Sequence, residues 1–128
     1  MSYFFSKTLD VGFDEAIRRT TEALKAQGFG VLTEIDVAAT LKTKIGVDFR
    51  PYRILGACNP KLAHEALTAE PDIGLMLPCN VVVQDAGAGK TKVSAIDPVA
   101  SMMAVENPRL REATTHVQGL LRAAIDAI

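Results

Sequence analysis

Apolar residues recur along this chain at two spacings, every second residue or every third to fourth, and the switches between the two outline its elements. Residues 2–9, SYFFSKTL, are rich in aromatic and β-branched side chains and predict a first strand. In residues 12–28, Phe13, Ile17, Thr20 and Leu24 fall at i, i+4, i+7 and i+11, the stripe of an amphipathic helix. Asp14 and Glu15 occupy its first turn, where the helix dipole favours anions, and Gly28 supplies a left-handed stop. FGVLTEID, residues 29–36, alternates as a second strand, after which Val37, Leu41 and Ile45 repeat every four residues up to Gly46 and predict a short helix. Arg50 precedes Pro51, a position pushed away from helix, so the third strand follows at YRILGAC, residues 52–58.

At Asn59-Pro60 the punctuation is sharp. Asparagine caps a helix and proline fits its first position, which predicts a helix over PKLAHEALTAE, residues 60–70, buried through Leu62, Ala63, Ala66 and Leu67 and closed by Pro71. LPCNVVVQD at 77–85 and KTKVSAID at 90–97 flank the small AGAG and predict a hairpin of strands four and five. A loop or short helical turn is expected around PVASMMAVE, residues 98–106. Asn107-Pro108 then repeats the helix-start signal, and Leu110, Ala113, Thr114, Val117, Leu121, Ala124, Ile125 and Ile128 line one face of a final helix.

Strands and helices do not alternate strictly, and one connection is a plain hairpin. The pattern therefore predicts an α+β fold: one domain over residues 1–128, with a single, largely antiparallel five-stranded sheet, two long helices on one face and shorter connecting helices. A doubly wound parallel sheet is the alternative. Large apolar residues stand at both parities of several strands, Phe4 beside Phe5, Val31 beside Leu32, Ile54 beside Leu55. Two long helices cover one sheet face and hardly both, so the second face is expected to be covered by a partner subunit, the short middle elements or a small apolar ligand.

Composition narrows the function classes. The 128 residues are 48% hydrophobic and 23% charged, and 14 basic against 15 acidic side chains leave a net charge of -1. A nucleic-acid binder normally carries a basic stripe and often a stacking platform; this chain is balanced, 5% aromatic and without Trp, so no nucleic-acid partner is expected. No stretch reads as a secretory signal or a membrane span, which places the protein in the cytoplasm with no membrane partner and keeps its two cysteines as thiols.

ILGACNPKLAHEAL, IGLMLPCNVVV and NPRLREAT together resemble the domain of unknown function 302 family of bacteria and archaea, and the likeness covers essentially the whole chain. The resemblance implies a fold similar to the half-domain of the TATA-binding protein, a curved antiparallel sheet with helices on one side, and a homodimer. It implies no reaction, so no catalytic residues carry over, and it leaves any cofactor unknown.

The repeated Cys-Asn pair marks the one candidate site. If the third and fourth strands are antiparallel neighbours, the exit of one lies beside the start of the other, and Cys58, Asn59, Cys79 and Asn80 meet at one end of the sheet. Pro78 can open the strand without forfeiting a ladder bond, and Val81, Val82 and Val83 suit a strand partly buried on both sides. Three uses are open. A thiolate near the start of the helix at Pro60 would be a nucleophile for thiol or sulfur chemistry. Cys58 and Cys79 could share a soft metal with His64 or His116, although no recognised zinc spacing is present. Or the cysteines are small buried hydrophobes and the asparagines caps. Met76, Met102 and Met103 either line an adaptable pocket or fill gaps in the core. DAGAGKT at 85–91 imitates a phosphate-binding loop, but Gln84 stands where its first glycine belongs and a strand follows instead of a helix. The reading is a homodimeric ligand-binding or accessory module with a Cys-Asn lined site, and the rival is a thiol enzyme or metal-binding protein using Cys58 and Cys79.

Overall fold

The computed structural model describes residues 2–128. Its elements run β1 (Phe4–Leu9), α1 (Phe13–Ala26), β2 (Gly30–Asp36), α2 (Val37–Ile45), β3 (Tyr52–Cys58), α3 (Pro60–Ala69), a 3-10 turn (Pro71–Met76), β4 (Cys79–Gly87), β5 (Lys90–Ile96), α4 (Pro98–Ser101) and α5 (Pro108–Ala127). The five strands form one sheet in the order β1-β5-β4-β3-β2, with every neighbouring pair antiparallel. The α+β architecture expected from the pattern is the one observed, and the doubly wound alternative is excluded.

Because β1 and β2 occupy opposite edges, α1 has to cross the sheet between them, and it packs against α5 on the same face. Alternation supplies the sheet side of the core: Leu55, Val81, Val83, Val93 and Ala95 point at the helices and are essentially inaccessible. Ala16 and Leu24 of α1 and Leu121, Ala124 and Ile125 of α5 meet them. Each large side chain so buried contributes about 1.5–3 kcal/mol relative to exposure. The residues between them on the strands, Phe4, Ile54, Val82, Ser94 and Ile96, look the other way and stay half-buried. On that second face a groove of about 250 Å³ runs over Phe4, Tyr52, Asn80, Val82, Lys92 and Ile96.

Helix starts follow the local chemistry. Asn59 Oδ1 accepts from Leu62 N at 3.2 Å and Asn107 Oδ1 from Arg109 N at 3.0 Å, capping α3 and α5, each with proline behind the cap. Gly28 adopts φ +86 at the end of α1, and its bare Cα lets the Asn59 amide approach; a Cβ there would lie 3.0 Å from Asn59 Nδ2. β4 and β5 extend into the AGAG segment, leaving a two-residue loop, Ala88-Gly89, with φ 54 and 76. Those signs match the twist of the flanking strands. Pro71 closes α3 as expected and also opens the 3-10 turn, and α2 forms where its repeat predicts, leaving Ile45 67% exposed. Edge position explains the exposure of Ile45: α2 follows the outer strand β2 and meets only β3 among the elements it packs on closely. One expectation changes: α3 buries none of its residues fully, with Leu67 43% exposed.

Candidate functional site

β3 ends where β4 begins, and the register places Ala57 opposite Cys79 and Gly56 opposite Asn80. Between the two strands, residues 59–78 make an excursion over the end of the sheet: Asn59 caps α3 at once, the 3-10 turn follows, and the chain returns through a cis Leu77-Pro78 bond. Under this excursion lies a cavity of about 50 Å³. The sheet supplies Ala57, Cys58 and Cys79, α3 supplies Leu62, Ala63 and Ala66, and the turn supplies Ile73. Pro98, Met102 and the first half of α5, through Leu110, Ala113, Thr114 and Val117, close the remaining side.

The apolar stripe of α5 thus divides. Its C-terminal half is bulky and packs into the core through Leu121 and Ile125, whereas Ala113 and Thr114 are too short to fill the space in front of them and leave it open. Small residues on the facing helix, Ala63 and Ala66, add to the gap. A close-packed interior leaves few such spaces.

Of the four candidate residues, Cys58, Asn59 and Cys79 border this cavity, and Asn80 does not. The reason is the two-residue period of a strand: Cys79 shares the helix side with Ala57, so Asn80 faces the opposite groove. Asn59 has its side-chain oxygen committed to the α3 cap. Burial raises the Cys58 thiol above its ordinary pKa, and burial together with the neighbouring Cys58 pushes Cys79 up to about 11. Both thiols are therefore neutral at pH 7, the reverse of what a thiolate nucleophile needs. Neither cysteine is in a disulfide.

The other motifs separate from this site. His64 and His116 are exposed on α3 and α5 and do not border the cavity. Among the described residues, no three His, Cys, Asp or Glu side chains gather as a metal would need, and no helix is long and apolar enough to cross a membrane. DAGAGKT is the β4–β5 hairpin, with no helix behind Thr91 to face a phosphate. The walls that sequence reasoning missed are Ile73, Pro98, Leu110 and the paired small residues Ala113-Thr114; the last carried a usable signal, a thin stretch within an otherwise bulky stripe.

Residues 5–128 match the family described as Domain of unknown function DUF302. The chain belongs to the DUF302 family. The crystal structure of an uncharacterized conserved DUF302 protein from Bacillus stearothermophilus is 33% identical, covers 99% of this chain and 98% of its own, and superposes with a TM-score of 0.89. The DUF302 resemblance seen in the Cys-Asn blocks is therefore a family relationship, and it extends through the whole arrangement of strands and helices. No curated protein matches the chain.

Proposed function

We propose that this DUF302 protein is a homodimeric, cytoplasmic binding or accessory module, a single domain whose ligand site is the cavity bordered by Cys58 and Cys79. The observation that carries the reading is the cavity itself: adjacent strands, α3 and α5 all present short or apolar side chains to one space at the sheet end. Its lining favours a small apolar ligand, because apolar walls gain contacts when the space between them is filled. Two unpaired thiols fit a reducing compartment. The dimer is supported by the sheet face that carries neither long helix, where Phe4, Ile54, Val82 and Ile96 are half-buried. The thiol-enzyme alternative loses support from the raised pKa of both cysteines.

Native mass spectrometry of freshly purified protein tests both parts in one spectrum. A dimer retaining a small apolar molecule is the expected result, with Val82→Lys shifting the mass to a monomer. A monomer that neither retains such a molecule nor gains thermal stability from added 1-hexanol would remove the reading.

A further inference from the structure

Residues 37–51, between β2 and β3, are the least supported part of the fold. α2 has nine residues, an Asp36 side chain that accepts from Ala39 N at 2.9 Å and a left-handed Gly46 at its end, yet it buries none of its side chains fully. From Lys42 to Pro51 every residue is exposed, including Ile45, Val47 and Phe49 at 67%, 44% and 39%. A helix this short is marginal in water by itself and owes its stability to tertiary packing of its apolar side. Caps hold α2 in shape, but nothing among the described residues covers its outer side.

This arm adjoins the open face of the sheet. The Phe49 ring lies 5.9 Å from that of Tyr52, the Arg50 guanidinium sits 4.5 Å over Phe49, and Arg50 Nε donates to Gln84 Oε1 at 3.2 Å. Tyr52 and Gln84 are partners across β3 and β4 and border the groove on that face, where Lys92 is the one charged side chain among the described residues. Size then decides what the arm is for. Five strands about 4.8 Å apart and roughly 20 Å long give the face a projected area of roughly 480 Å². A nine-residue helix about 13 Å long and 10 Å across adds roughly 130 Å². A stable dimer buries about 800 Å² of accessible surface on each partner, and accessible surface exceeds its flat projection. The face alone falls short of that, whereas face and arm together approach it. A two-fold dimer presents the same surface twice, so the arm and face of one copy meet the face and arm of the other and both are covered in one step.

We propose that a second copy of this chain occupies the open sheet face and that the arm completes the interface, Ile45, Val47 and Phe49 of each copy packing on the other's face around Ile54 and Val82. This rests on the dimer reading and adds the segment that closes it. Sedimentation of the full chain over a concentration series tests it. Ile45→Lys, at a position exposed in the single chain, should leave the monomer folded and raise the dimer dissociation constant about tenfold or more, because it carries a charge into an apolar contact. Hydrogen exchange gives a second reading without altering the arm: amides of residues 41–45 should exchange more slowly in the parent dimer than in the Val82→Lys monomer, while those of α3 should not differ. Equal exchange at residues 41–45, or an Ile45→Lys chain that dimerises as tightly as the parent, overturns the arm while the sheet-face dimer stands. A parent protein that stays monomeric, or a dimer indifferent to Val82→Lys, overturns both.

Discussion

Cys79 stands opposite Ala57 in the β3–β4 ladder, one position before Cys58, so the two thiols border the same small cavity although twenty residues of chain separate them. Burial is what distinguishes Cys79 chemically, and it gives a pH signature. In the folded protein its pKa is about 11 against an ordinary value of 9.0. Between those values the unfolded chain loses the proton and the folded chain keeps it, so stability is complete below about pH 9 and falls as pH rises towards 11. Cys79→Ala lacks this slope. In urea titrations of both proteins, the stability gap between them should shrink by about 2 kcal/mol from pH 8 to pH 10.5. A gap that does not change with pH would mean a thiol in contact with water.

The three asparagines that follow or precede these elements have unequal work, and their alanine variants should rank accordingly. Asn59→Ala removes the α3 cap and should cost about 1 kcal/mol. Asn107→Ala should cost more, about 2 kcal/mol, because the Asn107 amide also donates to the Ala69 carbonyl at 3.0 Å and to Glu70 Oε1 at 3.1 Å. Asn80→Ala, on the open face and without a hydrogen bond of its side chain to the described residues, should be close to neutral. Thermal denaturation reads the order; a costly Asn80→Ala would show that this face carries structure beyond the isolated chain.

Gly56 is fixed by its neighbours. A Cβ at this position would lie 2.7 Å from Pro78 Cγ and would also collide with the Thr33 hydroxyl, since both side chains close over the same point at the end of the sheet. Gly56→Ala should therefore lower stability by about 2 kcal/mol in chemical denaturation. Thr33→Ala in the same chain should restore part of it. Full tolerance of Gly56→Ala would mean that Pro78 is free to withdraw.

What the sequence made legible is what is encoded locally. Asn59-Pro60 and Asn107-Pro108 mark helix starts because a cap and its proline act within one turn, and AGAG marks the hairpin because only a few residue types accept its dihedrals. The closeness of Cys58 and Cys79 was also legible, since two strands joined by one helical excursion readily become antiparallel neighbours. Asn80 reaches the same sheet end, opposite Gly56, but consecutive residues on a strand face opposite ways, so it does not join Cys79 on the cavity side. The rest is tertiary. Nothing in β1 announces that it pairs with β5, and nothing near the cysteines announces Leu110 or Thr114, which arrive from α5 only after the helix has packed. The repeat Val37, Leu41, Ile45 predicts a helix correctly but not its exposure, because periodicity reports that a face is apolar and says nothing of what is available to cover it.

Thr20 shows the same limit inside the core and yields a sharper test. It takes the place of an apolar residue in the α1 stripe, is completely buried, and its Oγ1 has no hydrogen-bond partner among the described residues. The other buried threonine among the described residues, Thr91, differs in that its hydroxyl donates to the Val11 carbonyl at 2.9 Å. An unsatisfied buried hydroxyl costs about 1–3 kcal/mol in desolvation, and valine has nearly the same shape without that cost. Thr20→Val should accordingly raise stability by about 1 kcal/mol, whereas Thr91→Val should lower it by a similar amount because it strands the Val11 carbonyl. Calorimetric melting of the two variants against the parent decides the matter: a Thr20→Val protein that melts earlier would mean that the hydroxyl has a partner in solution, such as a buried water.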